Sequence, residues 1–474
     1  MLRRTKIVAT LGPASESRQE LEKMVDCGVD LFRLNFSHGE PEEHIERARL
    51  VRDIAARAGR NVAILGDLQG PKIRIARFRE GKVTLKAGED FILDAGLASD
   101  AGDSHTVGIA YKKLPQDCAV GDTLLLDDGR LSLKVEAVNG LCVHCTVLDG
   151  GTLSNNKGIN LQGGGLSAPA LTEKDCQDIH TSAAIGVDYL AVSFVRCKED
   201  LEQARRLQQE AGGNAAILAK IERAEVVHVE GKLEEVIEAA DAIMVARGDL
   251  GVEIGDAELV GVQKKMISMA LRLNKPVITA TQMMESMVEN SLPTRAEVFD
   301  VANAVLDGTD AVMLSAETAT GRCPHAVVDA MARIAVGAEK QAAVHPVNYD
   351  GKAHFESVSE TIAMSAIYAS SHLEGIKAIA CLSKVGQTAL LMSRMNFSLP
   401  IVTLARSEQT RRRLALYRGV HCLSFDVSTD DPDFEKEVMK RVCEVVKLCA
   451  GDKVLMTHGT QVESSCVLKI LTVK

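Results

Sequence analysis

One pattern constrains this chain more than any other. A short apolar run that ends in polar residues and leads into a helical stretch recurs eight times: Lys6–Leu11, Leu31–Phe36, Val62–Asp67, Tyr189–Val195, Ala216–Ile221, Ala242–Ala246, Pro276–Ala280 and Ala311–Leu314. Most of these runs are separated by ~15–25 residues with apolar positions three and four apart, such as Leu21, Met24 and Val25, which is the period of a helix packed on one face. Strand–helix alternation implies parallel pairing, and eight such units can close into a (β/α)8 barrel. A doubly wound sheet, with six or seven units, is the alternative.

At 474 residues the chain is too long for one core. The gap between the third and fourth runs, residues 71–167, alternates at Lys82–Lys86 and Thr123–Leu126 and carries the turn signals Asp128-Gly129 and Asn139-Gly140. It is expected to form an inserted small β-barrel, a lid, with Gly163-Gly164-Gly165 and Pro169 marking the return. The barrel then comprises residues 1–70 and 168–344. The pattern stops at a Pro346/Gly351 stretch. Residues 345–474 read as an open α/β domain, with a helix at Ser359–Ser370 and strands at Lys377–Leu382, Pro400–Ala405, Val420–Phe425, Lys453–Thr457 and Val467–Val473.

Composition narrows the class. A net charge of −10, 3% aromatics and no Trp argue against nucleic-acid partners. No uncharged run reaches the length of a membrane helix, and the opening apolar stretch is too brief for a secretory signal. Twelve scattered cysteines suit a reducing, cytoplasmic setting. The one Cys-x-x-Cys, Cys142 to Cys145, lies in alternating sequence where its two thiols face opposite ways, so it is expected to be a strand rather than a zinc site.

In a parallel barrel the chemistry gathers at the C-terminal ends of the strands. On the second, Arg33, Asn35 and Ser37 share a face; these polar groups form either an internal hydrogen-bond network or an anion and cation site in which Arg33 grips a phosphate. Lys220 and Glu222 end the fifth, where a plain ion pair is the simplest reading. A carboxylate there could instead hold a divalent metal while the ammonium meets a phosphoryl group. The sixth ends Arg247-Gly248-Asp249, a capped turn or a second metal carboxylate; the seventh ends Thr279-Ala280-Thr281-Gln282; the eighth ends Ser315-Ala316-Glu317. No Walker-type phosphate loop or protein-kinase signature occurs.

RLNFSHG (33–39), GDLQGPKIR (66–74), AKIE (219–222), MVARGDLG (244–251), TATQM (279–283), PTRAE (293–297) and MLSAET (313–318) resemble, in order and across the whole chain, the pyruvate kinase family. The resemblance implies a three-domain subunit, normally a homotetramer, that transfers a phosphoryl group from phosphoenolpyruvate to ADP. It assigns Glu222 and Asp249 to Mg²⁺ or Mn²⁺ and Lys220 to the phosphoryl group in flight. Arg33 holds the phosphate, Gly248, Asp249 and Thr281 line the substrate, and Thr281 relays a proton through water. Asn35, Phe36, Ser37, His38, Arg74 and Lys157 would meet ADP or ATP. The insert would close as a lid. Many relatives bind K⁺ through Asn, Ser, Asp and a Thr or Ser oxygen; here these are Asn35, Ser37, Asp67 and Leu68, with Lys72 in place of a nearby Glu. A fixed ammonium could occupy the ion's space, so turnover without K⁺ is expected. In the last domain, Ser383, Lys384, Gly386 and Thr388 open a helix after a strand. The loop is either a routine cap or, by resemblance, the phosphate cradle of a phosphorylated sugar or nucleotide effector. A lyase or aldolase on a similar barrel would share the metal carboxylates but not need the lid, and a non-enzymatic sugar-phosphate sensor would not need Lys220.

Overall fold

The computed structural model describes residues 2–341, 355, 357–395, 397–459 and 466–474. The expected Pro346/Gly351 boundary and the 344/345 domain limit lie outside the described residues.

Eight strands form a closed, all-parallel barrel: Lys6–Thr10, Leu31–Asn35, Ala63–Asp67, Tyr189–Val192, Ala216–Ile221, Ala242–Ala246, Val277–Ala280 and Ala311–Leu314. Each pairs with its neighbours in sequence order, and the eighth closes onto the first through Lys6↔Ala311. The doubly wound alternative is thereby excluded. The strands are short and almost wholly apolar because both faces are covered. One face packs on the surrounding helices through Phe32, Leu34, Ile64, Ile217 and Ile243. The other fills the interior with Val8, Leu65, Tyr189, Leu218, Met244 and Ile278.

Between the third and fourth strands the insert has its own core, including Phe91, Leu124, Leu133 and Val143. Its strands lie in a six-stranded sheet and a two-stranded ribbon, so the small inserted β domain is present as a half-barrel sheet. Isolated bridges at Ile75↔Ile109 and Arg74↔Gly158 stitch its first residues to the rest. Cys142 and Cys145 fall on the strand Cys142–Asp149 with unlike exposure, as period two requires.

The last domain is a five-stranded sheet. Its helix Val358–His372 and strands Ile376–Leu382, Ile401–Ala405, Val420–Ser424, Lys453–Gly459 and Cys466–Thr472 follow the apolar runs. Ala415 and Leu416 of this domain join the barrel's interior cluster, so the domain plugs the barrel floor. Asp188, just ahead of the fourth barrel strand, fastens the joint. Its buried carboxylate accepts from the Ile64 N–H at 2.8 Å, from Arg52 at 2.7 Å and from Arg412 at 2.9 Å.

Candidate active site

At the opposite end of the barrel, one ammonium organises the polar residues. The Lys220 Nζ lies 2.9 Å from Glu222 Oε1, 3.4 Å from Asp67 Oδ1 and 2.7 Å from Ser193 Oγ. Asp67 in turn holds Arg33, with Nε 2.5 Å from Oδ2, and a further nitrogen of Arg33 donates to Thr10 Oγ1 at 3.2 Å. Register explains the convergence. Arg33 and Asn35 pair with Leu65 and Asp67 on the third strand, and Lys220 pairs with Met244 on the sixth, so the polar ends of successive strands stand at one level.

The charges are mutually dependent. Burial alone would push Asp67 up, but Lys220 and Arg33 outweigh it and hold the carboxyl below its ordinary value. Burial likewise works against the Lys220 ammonium, and Asp67 and Glu222 more than compensate, raising it. Glu222 is different. Burial raises it, the charge of Asp249 pushes the same way, and Lys220 and the Phe194 N–H only partly oppose. A desolvated carboxylate with a second carboxylate for neighbour is a setting that a divalent cation relieves. Among the described residues no cluster of three or more acidic, His or Cys side chains forms a fuller metal cage. Two carboxylates are what Mg²⁺ uses when substrate and water supply the remaining oxygens.

Around this core the expected residues separate. Gly248 and Thr281 come together, the Gly248 N–H donating to Thr281 Oγ1 at 2.9 Å while that hydroxyl donates to the Ala280 carbonyl at 2.7 Å. Thr281 and Gln282 both have positive φ, 68° and 55°. Arg247 steadies this strained turn by donating to the Thr281 carbonyl at 2.6 Å and pairing with Asp300 at 2.7 Å. Lys72 pairs with Asp249 at 3.3 Å and stands 3.9 Å from Asp128; its partners are these two, not Asn35, Ser37 or Asp67. Leu68 buries its side chain, and its backbone carbonyl accepts from Ser193 at 2.7 Å. Phe36 is a core residue, edge-on to His44 at 4.8 Å, and its carbonyl receives Lys174 at 2.7 Å. The Asn35 side chain accepts from the Ser37 N–H at 3.2 Å, and His38 is exposed. Arg74 and Lys157 pair within the insert, with the Asn156 carbonyl at 3.1 Å and Asp127 at 2.6 Å. Thr279 and Glu317 turn out to be internal. Thr279 bonds Thr309 at 3.0 Å, and Glu317 accepts from the Ser315 and Met284 N–H groups at 2.6 and 3.2 Å. In the effector candidate, Ser383 Oγ accepts from the Gly386 N–H at 2.9 Å and the Lys384 carbonyl receives Thr410 at 3.1 Å, a turn ahead of the helix Gln387–Ser393, which holds Thr388.

Ser193, Phe194 and Thr10 belong to the site although their residue types did not single them out. The run Tyr189–Val195 reads as one strand, but the strand ends at Val192 because Phe194 turns to φ 54°, aiming its N–H at Glu222 Oε2 at 2.8 Å. The one available signal was the serine interrupting that run. Gly70 has the matching requirement: at φ 67° a Cβ there would stand 2.8 Å from the Ser193 Cβ.

A closed parallel barrel that gathers Lys220, Arg33, Asp67 and Glu222 at its C-terminal mouth, with an insert after its third strand and an α/β domain behind it, has the layout of a phosphotransferase. The family models for the pyruvate kinase barrel domain and the pyruvate kinase alpha/beta domain match residues 2–328 and 360–471. The chain is 56% identical to pyruvate kinase II of Salmonella typhimurium, covering 100% of this chain and 99% of that one. It is 55% identical to the pyruvate kinase of Haemophilus influenzae over 97% and 96% of the two chains. A solved pyruvate kinase of Cryptosporidium parvum superposes with a TM-score of 0.92 at 34% identity, covering 100% of this chain and 96% of that one. The chain belongs to the pyruvate kinase family.

Behind Glu222 runs the segment by which the insert returns to the barrel. Arg223, next to Glu222, donates to the Leu166 carbonyl at 3.0 Å and faces Glu253 at 3.5 Å, while the Gly163 N–H donates to the Glu253 carbonyl at 3.0 Å. Burial pushes the Glu253 carboxyl up to about 7, against Arg223 and the Ala224 N–H. A carboxyl raised from 4.5 to about 7 binds protons more tightly folded than unfolded, so stability falls as pH rises across that window. The loss is at most about 3 kcal/mol. Thermal midpoints measured across the window should fall steeply for the wild type and much less for Glu253→Gln; parallel curves would contradict this.

Proposed function

We propose that this chain transfers the phosphoryl group of phosphoenolpyruvate to ADP, giving pyruvate and ATP, with the roles divided among its own residues as follows. The observation that carries the reading is the Lys220 ammonium fixed between Asp67 and Glu222 at the barrel mouth. Phosphoryl transfer asks little of a protein beyond positioning and neutralisation of spreading negative charge, and Lys220 with Arg33 supplies both. Glu222 and Asp249 would hold Mg²⁺, or Mn²⁺ in its place, which when bound neutralises oxygens of the substrate carboxylate and phosphate. Lys72 engages only Asp249 Oδ1, leaving the other oxygen for a cation. Gly248 and Thr281 line the substrate. The Thr281 hydroxyl passes a proton toward the enolate carbon from water, since an aliphatic hydroxyl is too weak an acid to be the source. Asn35, Ser37, His38 and the backbone of Phe36 would form one side of the nucleotide seat, completed by Arg74 and Lys157 when the lid, residues 71–167, closes over the barrel of residues 1–70 and 168–344.

Three finer readings belong here. Turnover proceeds without K⁺, because Asp67 is already neutralised by Lys220 and Arg33 and the Leu68 carbonyl is engaged by Ser193. A phosphorylated sugar or nucleotide activates through residues Ser383, Lys384, Gly386 and Thr388 of the regulatory domain, 345–474. The enzyme works in the cytoplasm as a homotetramer.

Lys220→Met should lower kcat by about 10³-fold in a coupled assay of ADP-dependent pyruvate formation, while Mn²⁺ and phosphoenolpyruvate still bind. Retained turnover would remove the central role given to this residue, whereas a wild type that forms no pyruvate from ADP would favour a lyase or a sensor. In K⁺-free buffer the rate should stay within about twofold of that with K⁺; a collapse that K⁺ reverses would refute independence. A Ser383→Ala/Thr388→Ala double variant should lose its response to the activating metabolite, and an unchanged response would move the effector elsewhere.

A further inference from the structure

Between the barrel floor and the C-terminal sheet lies a cavity of about 420 Å³. It is remote from the strand ends that carry the active site and is separate from the Ser383–Thr388 loop. Three arginines line it: Arg4 from the start of the barrel, and Arg394 and Arg418 from the C-terminal domain. Such a concentration of cations in a half-enclosed space needs compensating anions.

The compensation falls short by one. Arg394 is fully committed, with both terminal nitrogens on the Asp310 carboxylate and one also on the Lys275 carbonyl. Asp310 is saturated further by the N–H groups of Val277 and Arg418, each at 2.9 Å. Glu339 spends its oxygens on the Arg4 and Thr5 N–H groups and the Thr5 hydroxyl, and stands 3.9 Å from the Arg4 Nε. That Nε is buried without a hydrogen bond. Asp307, the carboxylate of the lining itself, is paired with Lys264. Among the described residues the Arg418 guanidinium has neither a hydrogen bond nor an ion pair.

That guanidinium lies beside Gly308, where a Cβ would stand 3.5 Å from one of its terminal nitrogens. Gly308 ends the helix Arg295–Asp307, whose carbonyl end carries partial negative charge. Two of its last four carbonyls are taken, Val305 by the Gly308 N–H and Ala304 by the Thr309 N–H, each at 3.2 Å. Burial pushes Arg418 down to about 10, and the charge of Arg4 adds to the push. An anion entering here would meet a waiting guanidinium fork rather than displace an existing partner.

We propose that this cavity is a second ligand site, taking a small phosphate monoester whose phosphate is received by Arg418, with Arg4 beside it, and whose organic part packs on Met392, Met395 and Leu399. The volume falls within the range of small-molecule sites. Arg4, one terminal nitrogen of which donates to the Phe397 carbonyl at 2.6 Å, adds a second positive charge beside the unpaired guanidinium, and two cations suit a dianion better than a single carboxylate. Because the walls come from both the barrel and the C-terminal domain, an occupant ties the two together. The site stands independently of the activity proposed above, since none of its residues belongs to the active site.

Phenyl phosphate, titrated calorimetrically into the intact protein, tests it, with benzoate as the carboxylate arm and inorganic phosphate as the bare anion. The wild type should bind one more phenyl phosphate per chain than Arg418→Gln, Arg418→Lys should restore at least part of that binding, and Ser383→Ala/Thr388→Ala should leave it intact. Benzoate and inorganic phosphate should bind there about tenfold more weakly or worse. Should Arg418→Gln fail to fold, Met395→Glu, which places a carboxylate in the same cavity, should abolish the same binding event. Equal stoichiometry and affinity in the wild type and the cavity variant, tighter binding of benzoate, or loss of the event in the Ser383/Thr388 variant would overturn the proposal.

Discussion

The buried ammonium of Lys220 is the constraint on which the barrel mouth depends. A lone cation at this depth would lose its proton or drag in water, and Asp67 and Glu222 prevent both. The dependence is reciprocal: without Lys220, Asp67 would keep only Arg33, and Glu222 would face Asp249 with nothing but the Phe194 N–H against it. In the reading proposed above, the Glu222–Asp249 repulsion is what a bound divalent cation would relieve. The geometry of the cluster is fixed in advance by strand register, so little reorganisation is left for the reacting complex.

The rest of the molecule supports that end from a distance. The C-terminal domain closes the barrel floor with Ala415 and Leu416, and Asp188 ties both domains to the start of the fourth strand. The far end of that strand leads into Ser193 and Phe194, which hold Lys220 and Glu222. The insert leaves the barrel at Gly70, packed against Ser193, and returns past Arg223, beside Glu222. Both connections of the insert therefore touch residues that hold Lys220 and Glu222 or stand next to them.

Much of this was legible in the amino-acid order. The eight barrel strands follow apolar runs because a parallel sheet covered on both faces admits little else, and Lys220, Glu222 and Asp249 stand out as charges that end such runs. The site's finer geometry was not legible where backbone conformation decides it. Phe194 breaks the fourth run by turning to positive φ, and nothing in a phenylalanine announces that. Polar type alone does not place a side chain: Thr279, within the seventh barrel strand, and Glu317, just past the eighth, both bond internal groups. The resemblance sets Lys72 at the cation region around Asp67, whereas the chain's path past Gly70 brings it to Asp249. The insert's strands were visible in their alternation, but how far its sheet curls depends on contacts between residues distant in the chain.

Crystals grown with Mn²⁺ and phosphoenolpyruvate, with data collected at the manganese edge, test the central claim most directly. One strong anomalous peak should lie about 2–2.5 Å from carboxylate oxygens of both Glu222 and Asp249, with the substrate phosphate against Lys220. A manganese ion bound away from either carboxylate, or a phosphate seated apart from the ammonium, would contradict it.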